Sequence, residues 1–190
     1  ISLIENRLFE ELRIQVAGFQ NQVMESAQTI AHIDCLLSLA KLAGQNHYIK
    51  PLMDTGSTLK IHQGRHPVLD SLGSFIPNDT TLDDGPNQLA ILTGPNMAGK
   101  STYIRQVALL VILAQIGSYI PAQSAHLGIV EKIFSRIGAS DDLARGQSTF
   151  MVEMVETANI LNNLSDKSLI ILDEIGRGTS TYDGIAIAQS

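Results

Sequence analysis

Nine consecutive residues hold the first recognisable chemistry: Gly94-Pro95-Asn96-Met97-Ala98-Gly99-Lys100-Ser101-Thr102. They fit the pattern G-x-x-x-x-G-K-[ST], a phosphate-binding loop. Glycines at the two ends let the backbone turn tightly, so that successive N–H groups point inward at phosphate oxygens. Lys100 supplies a mobile positive charge for the β- and γ-phosphates, and the Ser101 hydroxyl is a hard oxygen ligand for Mg²⁺. A second group lies downstream, where Ser168-Leu169-Ile170-Ile171-Leu172 runs straight into Asp173 and Glu174. An aliphatic run ending in two carboxylates is the Walker B pattern. Asp173 would hold Mg²⁺, directly or through water, and Glu174 is placed to orient or deprotonate an attacking water. Together the two groups imply ATP and Mg²⁺ as cofactors.

Such chemistry needs elements that aim it. Residues 88–93 read as a buried strand leading into the loop, and residues 104–116 as an apolar helix leaving it, whose N-terminus would face the phosphates. Residues 168–172 read as a parallel strand buried on both faces, because the aliphatic run is unbroken. The C-terminal end of such a strand is where an α/β sheet opens its ligand crevice. Residues 129–137 read as another strand. Residues 148–164 read as a helix with Met151, Met154, Val155, Ala158 and Leu161 along one side. Ser148 or Thr149 would cap it, and its N-terminus is either an ordinary cap or a second phosphate contact. Between them, residues 138–146 read as a polar loop holding Asp141 and Asp142. The Gly- and Thr-rich turn over 175–183 follows the carboxylates directly. Its Arg177 is either an arginine finger or a residue with a structural ion-pair or interface role.

The N-terminal third reads differently. Residues 2–17 carry Leu3, Leu8, Leu12 and Val16 at helical spacing. Residues 19–44 carry Val23, Ala27, Ile30, Asp34, Leu37 and Ala40, nearly all apolar, with Gly18 between the two stretches and Gly44 as a C-cap. These stripes read as core-facing, and Cys35 reads as a buried, inert thiol. Residues 48–56 read as a linker, 59–61 as a half-exposed strand, and 71–86 as loop.

Composition bounds the rest. The 190 residues are 44% hydrophobic, enough for a sizeable core, and the formal net charge is −6. Nucleic-acid-binding surfaces are usually basic, and no Lys/Arg run occurs here, so DNA contact is expected from parts of the protein outside these residues. One cysteine excludes an internal disulfide framework and fits a reducing compartment. The five histidines, His32, His47, His62, His66 and His126, have no metal-ligand spacing. No apolar run is long enough for a membrane span, so no membrane association is expected. The absent starting Met and the break at Ser190, inside a helical pattern, read as the ends of a fragment truncated at its C-terminus.

At this point the residues resemble a family. The segments 93–106, 136–142, 148–154 and 172–181, in that order, closely resemble the MutS family of DNA mismatch-repair ATPases, bacterial type above all. The resemblance covers essentially the whole chain. It implies an α/β fold: a P-loop NTPase (ABC-type ATPase) sheet flanked by helices over residues 57–190, incomplete at its end. The end of a helical lever/core region would precede it over residues 1–56. It implies a homodimer with composite sites, in which Ser148 reaches the partner's γ-phosphate. Asn96 would lie near the γ-phosphate, Phe75 and Ile76 would hold the adenine, and the 177–181 turn would signal between sites. Catalytic roles fall to Glu174, Lys100 and Asn96. Gly94, Pro95, Met97, Ala98, Gly99, Ser101 and Thr102 complete the nucleotide cradle. Ala98 stands where many members have Gly, and the Leu-Ser-Gly-Gly-Gln signature of transporters is absent.

By the same resemblance, the partners are mismatched double-stranded DNA and a MutL-type protein, and the location is the bacterial cytoplasm, at the nucleoid. The mismatch-reading Phe-x-Glu, a switch histidine and a helix-turn-helix tail would lie outside residues 1–190. The expected function is Mg²⁺-dependent ATP hydrolysis coupled to the dimer's hold on mismatched DNA, weak in the isolated fragment. The alternative is a MutS-like paralogue acting on recombination junctions.

Overall fold

A computed structural model of the chain describes residues 2–73, 75–95, 97–137, 149–176 and 179–189. The chain divides into two compact units, Ile1–Gln45 and Asn46–Ser190.

The first unit is helical: α1 spans Ser2–Ala17 and α2 spans Gln20–Gln45. Gly18 marks the joint, its N–H donating back to the Ile14 and Gln15 carbonyls. The two helices match the spacing in the sequence. Their apolar stripes do not behave as expected. Leu3, Leu8, Leu12, Val16, Val23, Ile30 and Leu37 are all exposed, and Ala43 is the one buried residue of α2 among those described. Cys35 is exposed as well, which corrects its reading as a buried thiol. A stripe needs an opposing surface before it becomes core.

The second unit is mixed α/β. Its strands are β1 Leu52–Asp54, β2 Leu59–Gly64, β3 Asn78–Leu82, β4 Ser124–Gly128, β5 Lys132–Arg136 and β6 Ser168–Leu172. Its helices are α3 Lys100–Gln115, α4 Thr149–Asn162 and α5 Thr181–Gln189. The strands form a four-stranded sheet in the order β1-β4-β2-β3 and a two-stranded sheet of β5 and β6. In the first, β2 is antiparallel to both neighbours while β1 runs parallel to β4. β5 and β6 are parallel, in register from Lys132 against Ser168 to Arg136 against Leu172. A parallel pair needs a crossover, and α4 lies in the intervening chain.

One core serves both sheets. Val107, Leu110, Val111 and Ala114 of α3 pack with Leu59 and Ile61 of β2, Leu127 of β4, and Leu169 and Ile171 of β6. These α3 positions recur at three- and four-residue steps, the spacing that puts them on one helical face.

Several expectations need correcting. Residues 48–56 are no mere linker, because β1 lies within them and pairs with β4. Residues 71–86 contain β3, paired in turn with β2. Residues 88–93 belong to neither sheet, and Leu89 and Ile91 are each 79% exposed. Among the described residues the apolar run there joins neither sheet, and a strand exists only in a ladder. β6 is also buried on one face instead of two: Leu169 and Ile171 point into the core, while Ile170 and Leu172 stay exposed. On α4 the inward residues are Glu153 and Ile160, and the side bearing Met151, Val155 and Leu161 faces outward.

Candidate functional site

The glycine loop turns directly into α3. Gly99 adopts φ +89°, a left-handed conformation natural to glycine, and the helix begins at the next residue. The first intrahelical bond from this end is Tyr103 N–H to the Gly99 carbonyl, at 2.9 Å. By helix geometry, the N–H groups before it lack intrahelical acceptors. They make a ready seat for an anion, reinforced by the helix dipole. Met97 also has positive φ, +62°, and projects fully into solvent. A non-glycine residue in that region costs about 1–3 kcal/mol and marks a loop shaped by more than local preference.

Lys100 Nζ donates to the carbonyls of Gly94 (2.7 Å) and Pro95 (2.8 Å). Its ammonium is therefore curled over the loop whose amides would contact phosphate. Ser101 and Thr102 follow in the first turn of α3, both half-buried. The base of this helix is tied to the four-stranded sheet. The Tyr103 hydroxyl lies 2.9 Å from Thr80 Oγ1 and donates to the Asp79 carbonyl at 3.1 Å, which anchors α3 on β3.

Phe75 is half-buried and packs obliquely on His66, ring centroids 6.4 Å apart. His66 Nδ1 accepts from the Val68 and Leu69 amides. Burial lowers the His66 pKa, and the nearby positive charge of Arg105 lowers it further. Ile76 is 81% exposed.

The carboxylate turn is built from three sides. The Asp173 amide donates to the Arg136 carbonyl (2.9 Å), extending the β5–β6 ladder, and Arg136 Nη1 donates back to the Asp173 carbonyl (3.3 Å). Glu174 has φ +55° and Gly176 φ +76°, so the chain reverses sharply where the carboxylates sit. A Cβ on Gly176 would lie 2.7 Å from Gly184 Cα of α5. The Gly176 amide donates to Glu153 Oε1 at 2.5 Å, and Glu153 Oε2 lies 3.8 Å from Arg136 Nη2. Arg136 Nε lies 3.5 Å from Glu156.

Loop and turn thus fall within one unit, tied by the packing of α3 on β6. Asn96, Ser148 and Arg177, and the loop holding Asp141 and Asp142, lie outside the described residues. Sequence reasoning passed over the parts Arg136, Glu153 and Gly176 play in supporting the turn. The available signal was Glu153 itself, a carboxylate flanked on both sides by the apolar Val152 and Met154.

These features describe a mixed α/β unit in which a glycine-rich loop opens one helix and a strand ends in two adjacent carboxylates. Residues 90–190, more than half of the chain, match the family model for MutS domain V. The chain belongs to the MutS family. It is 63% identical to the DNA mismatch repair protein MutS of Protochlamydia amoebophila, over the whole chain and 22% of that protein. It is 56% identical to the protein of the same name from Chlamydia muridarum, over the whole chain and 24% of its relative. With the corresponding protein of Caldicellulosiruptor bescii the identity is 56%, over 97% of this chain and 22% of the relative. The chain therefore spans less than a quarter of the length of these relatives. No described helix is long and apolar enough to cross a membrane.

Proposed function

We propose that residues 57–190 form the ATP-binding and hydrolysing domain of a DNA mismatch-repair protein, of the ABC-type P-loop class, and that residues 1–56 end its helical lever. The observation that carries this is the left-handed turn at Gly99, which opens α3 with Lys100 folded over the Gly94 and Pro95 carbonyls. The residues fit the group they would receive. Amides at the start of α3 suit phosphate oxygens, and a hydroxyl with a carboxylate is the hard oxygen set that Mg²⁺ takes.

In this reading Lys100 leaves its carbonyls for the β- and γ-phosphates, while Gly94 to Thr102 wrap them. Ser101 and Asp173 hold Mg²⁺, which supplies charge neutralisation when bound. Glu174 orients the attacking water and takes its proton. Phe75 and Ile76 hold the adenine, where an aromatic face suits stacking. Asn96 approaches the γ-phosphate, and Ser148 serves the site of a second copy. Binding and hydrolysis then bias a dimer between conformations that differ in their hold on mismatched duplex DNA, a shift limited by the nucleotide's preference between the two states. DNA, and a MutL-type partner, would be met by regions beyond these residues. The mismatch-repair reading is preferred to recombination-junction binding because the relatives named above all carry the mismatch-repair name.

The test is steady-state ATP hydrolysis by the complete protein with no DNA, matched duplex and single-mismatch duplex, with Lys100→Ala as blank. Hydrolysis that responds to the mismatch and falls about a thousandfold in Lys100→Ala supports the reading. Hydrolysis indifferent to the mismatch would shift the function to another DNA structure, and hydrolysis that survives Lys100→Ala would remove the site.

A further inference from the structure

Helix α4 turns a carboxylate inward and much of its apolar stripe outward. Glu153 is 2% exposed, while Met151, Val155 and Leu161 on the opposite side are each more than half exposed. A buried carboxylate is costly unless it is paired and hydrogen-bonded. Here it has both kinds of partner. One oxygen accepts from the Gly176 amide and the other faces the Arg136 guanidinium, which is itself buried. These partners lie on either side of the same short segment. Arg136 brackets Asp173 through its own backbone and side chain, and Gly176 ends the turn two residues after Glu174.

We propose that Glu153 is a positioning residue for Glu174. It fixes the left-handed turn that aims the Glu174 carboxylate, and it joins that turn to the first turns of α4. The inference rests on the hydrolytic reading of Glu174 given above. Glu174 holds φ +55° against its own preference, and such a conformation persists only where the surroundings over-determine it. The Gly176 amide bond to Glu153, the Asp173 ladder bond and the close seat of Gly176 on Gly184 are those surroundings. Because Glu153 sits only four residues into α4, displacement of that helix end would be felt at the turn through a single side chain.

The experiment uses the complete protein. Glu153→Leu is expected to lower kcat about a hundredfold, the penalty of a misplacement of about 1 Å, while leaving the affinity for a fluorescent ADP analogue within about twofold. Glu153→Gln keeps an oxygen for the Gly176 amide and should recover most of the rate. In a Glu174→Ala background, Glu153→Leu should lower the residual rate no further. Hydrogen exchange read by mass spectrometry on peptides covering 173–176 supplies a readout independent of turnover, with faster exchange expected in Glu153→Leu and a smaller increase in Glu153→Gln.

Full activity together with unchanged exchange in Glu153→Leu would overturn the inference, as would an undiminished further loss in the Glu174→Ala background. If Glu153→Leu fails to fold, Glu153→Ala decides: exchange over 173–176 and kcat both identical to the unsubstituted protein reject the role. Lys100→Ala and Glu174→Ala measured alongside separate the two ideas. If both abolish hydrolysis and Glu153→Leu does not, only the positioning role is lost. If neither does, the hydrolytic reading falls as well.

Discussion

Residues 88–93 and β6 are two apolar runs of similar length, and each leads into one half of the proposed chemistry. Only one is a strand. β6 pairs with β5 along five residues and sends Leu169 and Ile171 into the shared core. The 88–93 run pairs with nothing in either sheet and leaves Leu89 and Ile91 exposed. The difference lies in what surrounds them. β6 has a parallel neighbour and is covered on one face by α3. The end of the glycine loop beyond 88–93 nonetheless leads directly into α3, with Gly99 left-handed and Tyr103 anchored on β3.

The sharpest way to break this contrast is a pair of alanine substitutions. Ile171→Ala should destabilise the second unit by about 2–5 kcal/mol, the cost of emptying a buried aliphatic site. Ile91→Ala should change stability by less than about 0.5 kcal/mol, as exposed positions do. Chemical denaturation followed by circular dichroism measures both. An equal loss at Ile91 would mean that 88–93 is buried in solution, as its sequence suggests.

A smaller effect is expected at the carboxylate turn. Gly176→Ala places a Cβ 2.7 Å from Gly184 Cα in a left-handed conformation, and should cost about 1–3 kcal/mol. Gly73→Ala, also at positive φ but with open space around its Cβ, should cost less. The same denaturation experiment compares them, and equal costs would deny the close seat of α5 on the turn.

The smallest effect concerns pH. Burial and the positive charge of Arg105 depress the pKa of His66 in the folded protein. The unfolded chain, with an ordinary histidine pKa of about 6.5, binds the proton more readily. The contribution of His66 to stability is therefore complete above that value and is lost progressively as pH falls through it toward the folded pKa. Amide exchange at Val68 and Leu69, whose N–H groups His66 Nδ1 accepts, should accelerate on acidification beyond the intrinsic trend. His66→Gln should remove that excess, and an excess that persists in His66→Gln would assign the effect to another group.

Much of the local structure was legible in the sequence. α1, α2, α3, α4 and β6 all fall close to where hydrophobic spacing and glycine punctuation put them, because these signals act over a few residues. The misses share one cause. The exposure of Cys35, the exposure of 88–93 and the outward side of α4 all depend on what lies opposite an element, and periodicity does not state that. Glu153 illustrates the point: its charge argued for solvent, and only the proximity of Arg136 and Gly176, 17 and 23 residues away in sequence, reverses that. β1 and β3 were hidden in stretches rich in Pro, Gly and Asp, where pairing with β4 and β2 outweighs weak local preference. Of the candidate site, the loop and the carboxylates were readable as motifs, whereas the supports of the turn were not.

The division of labour between Lys100 and Glu174 is the central claim, and one comparison tests it most directly. ATP binding and single-turnover hydrolysis should be measured in the complete protein, in its unsubstituted form and as Glu174→Ala. Unimpaired ATP binding with hydrolysis reduced a hundredfold or more is the expected result, because the role proposed for Glu174 is on the water and not on the nucleotide. Loss of ATP binding in Glu174→Ala, or hydrolysis at the unsubstituted rate, would contradict it.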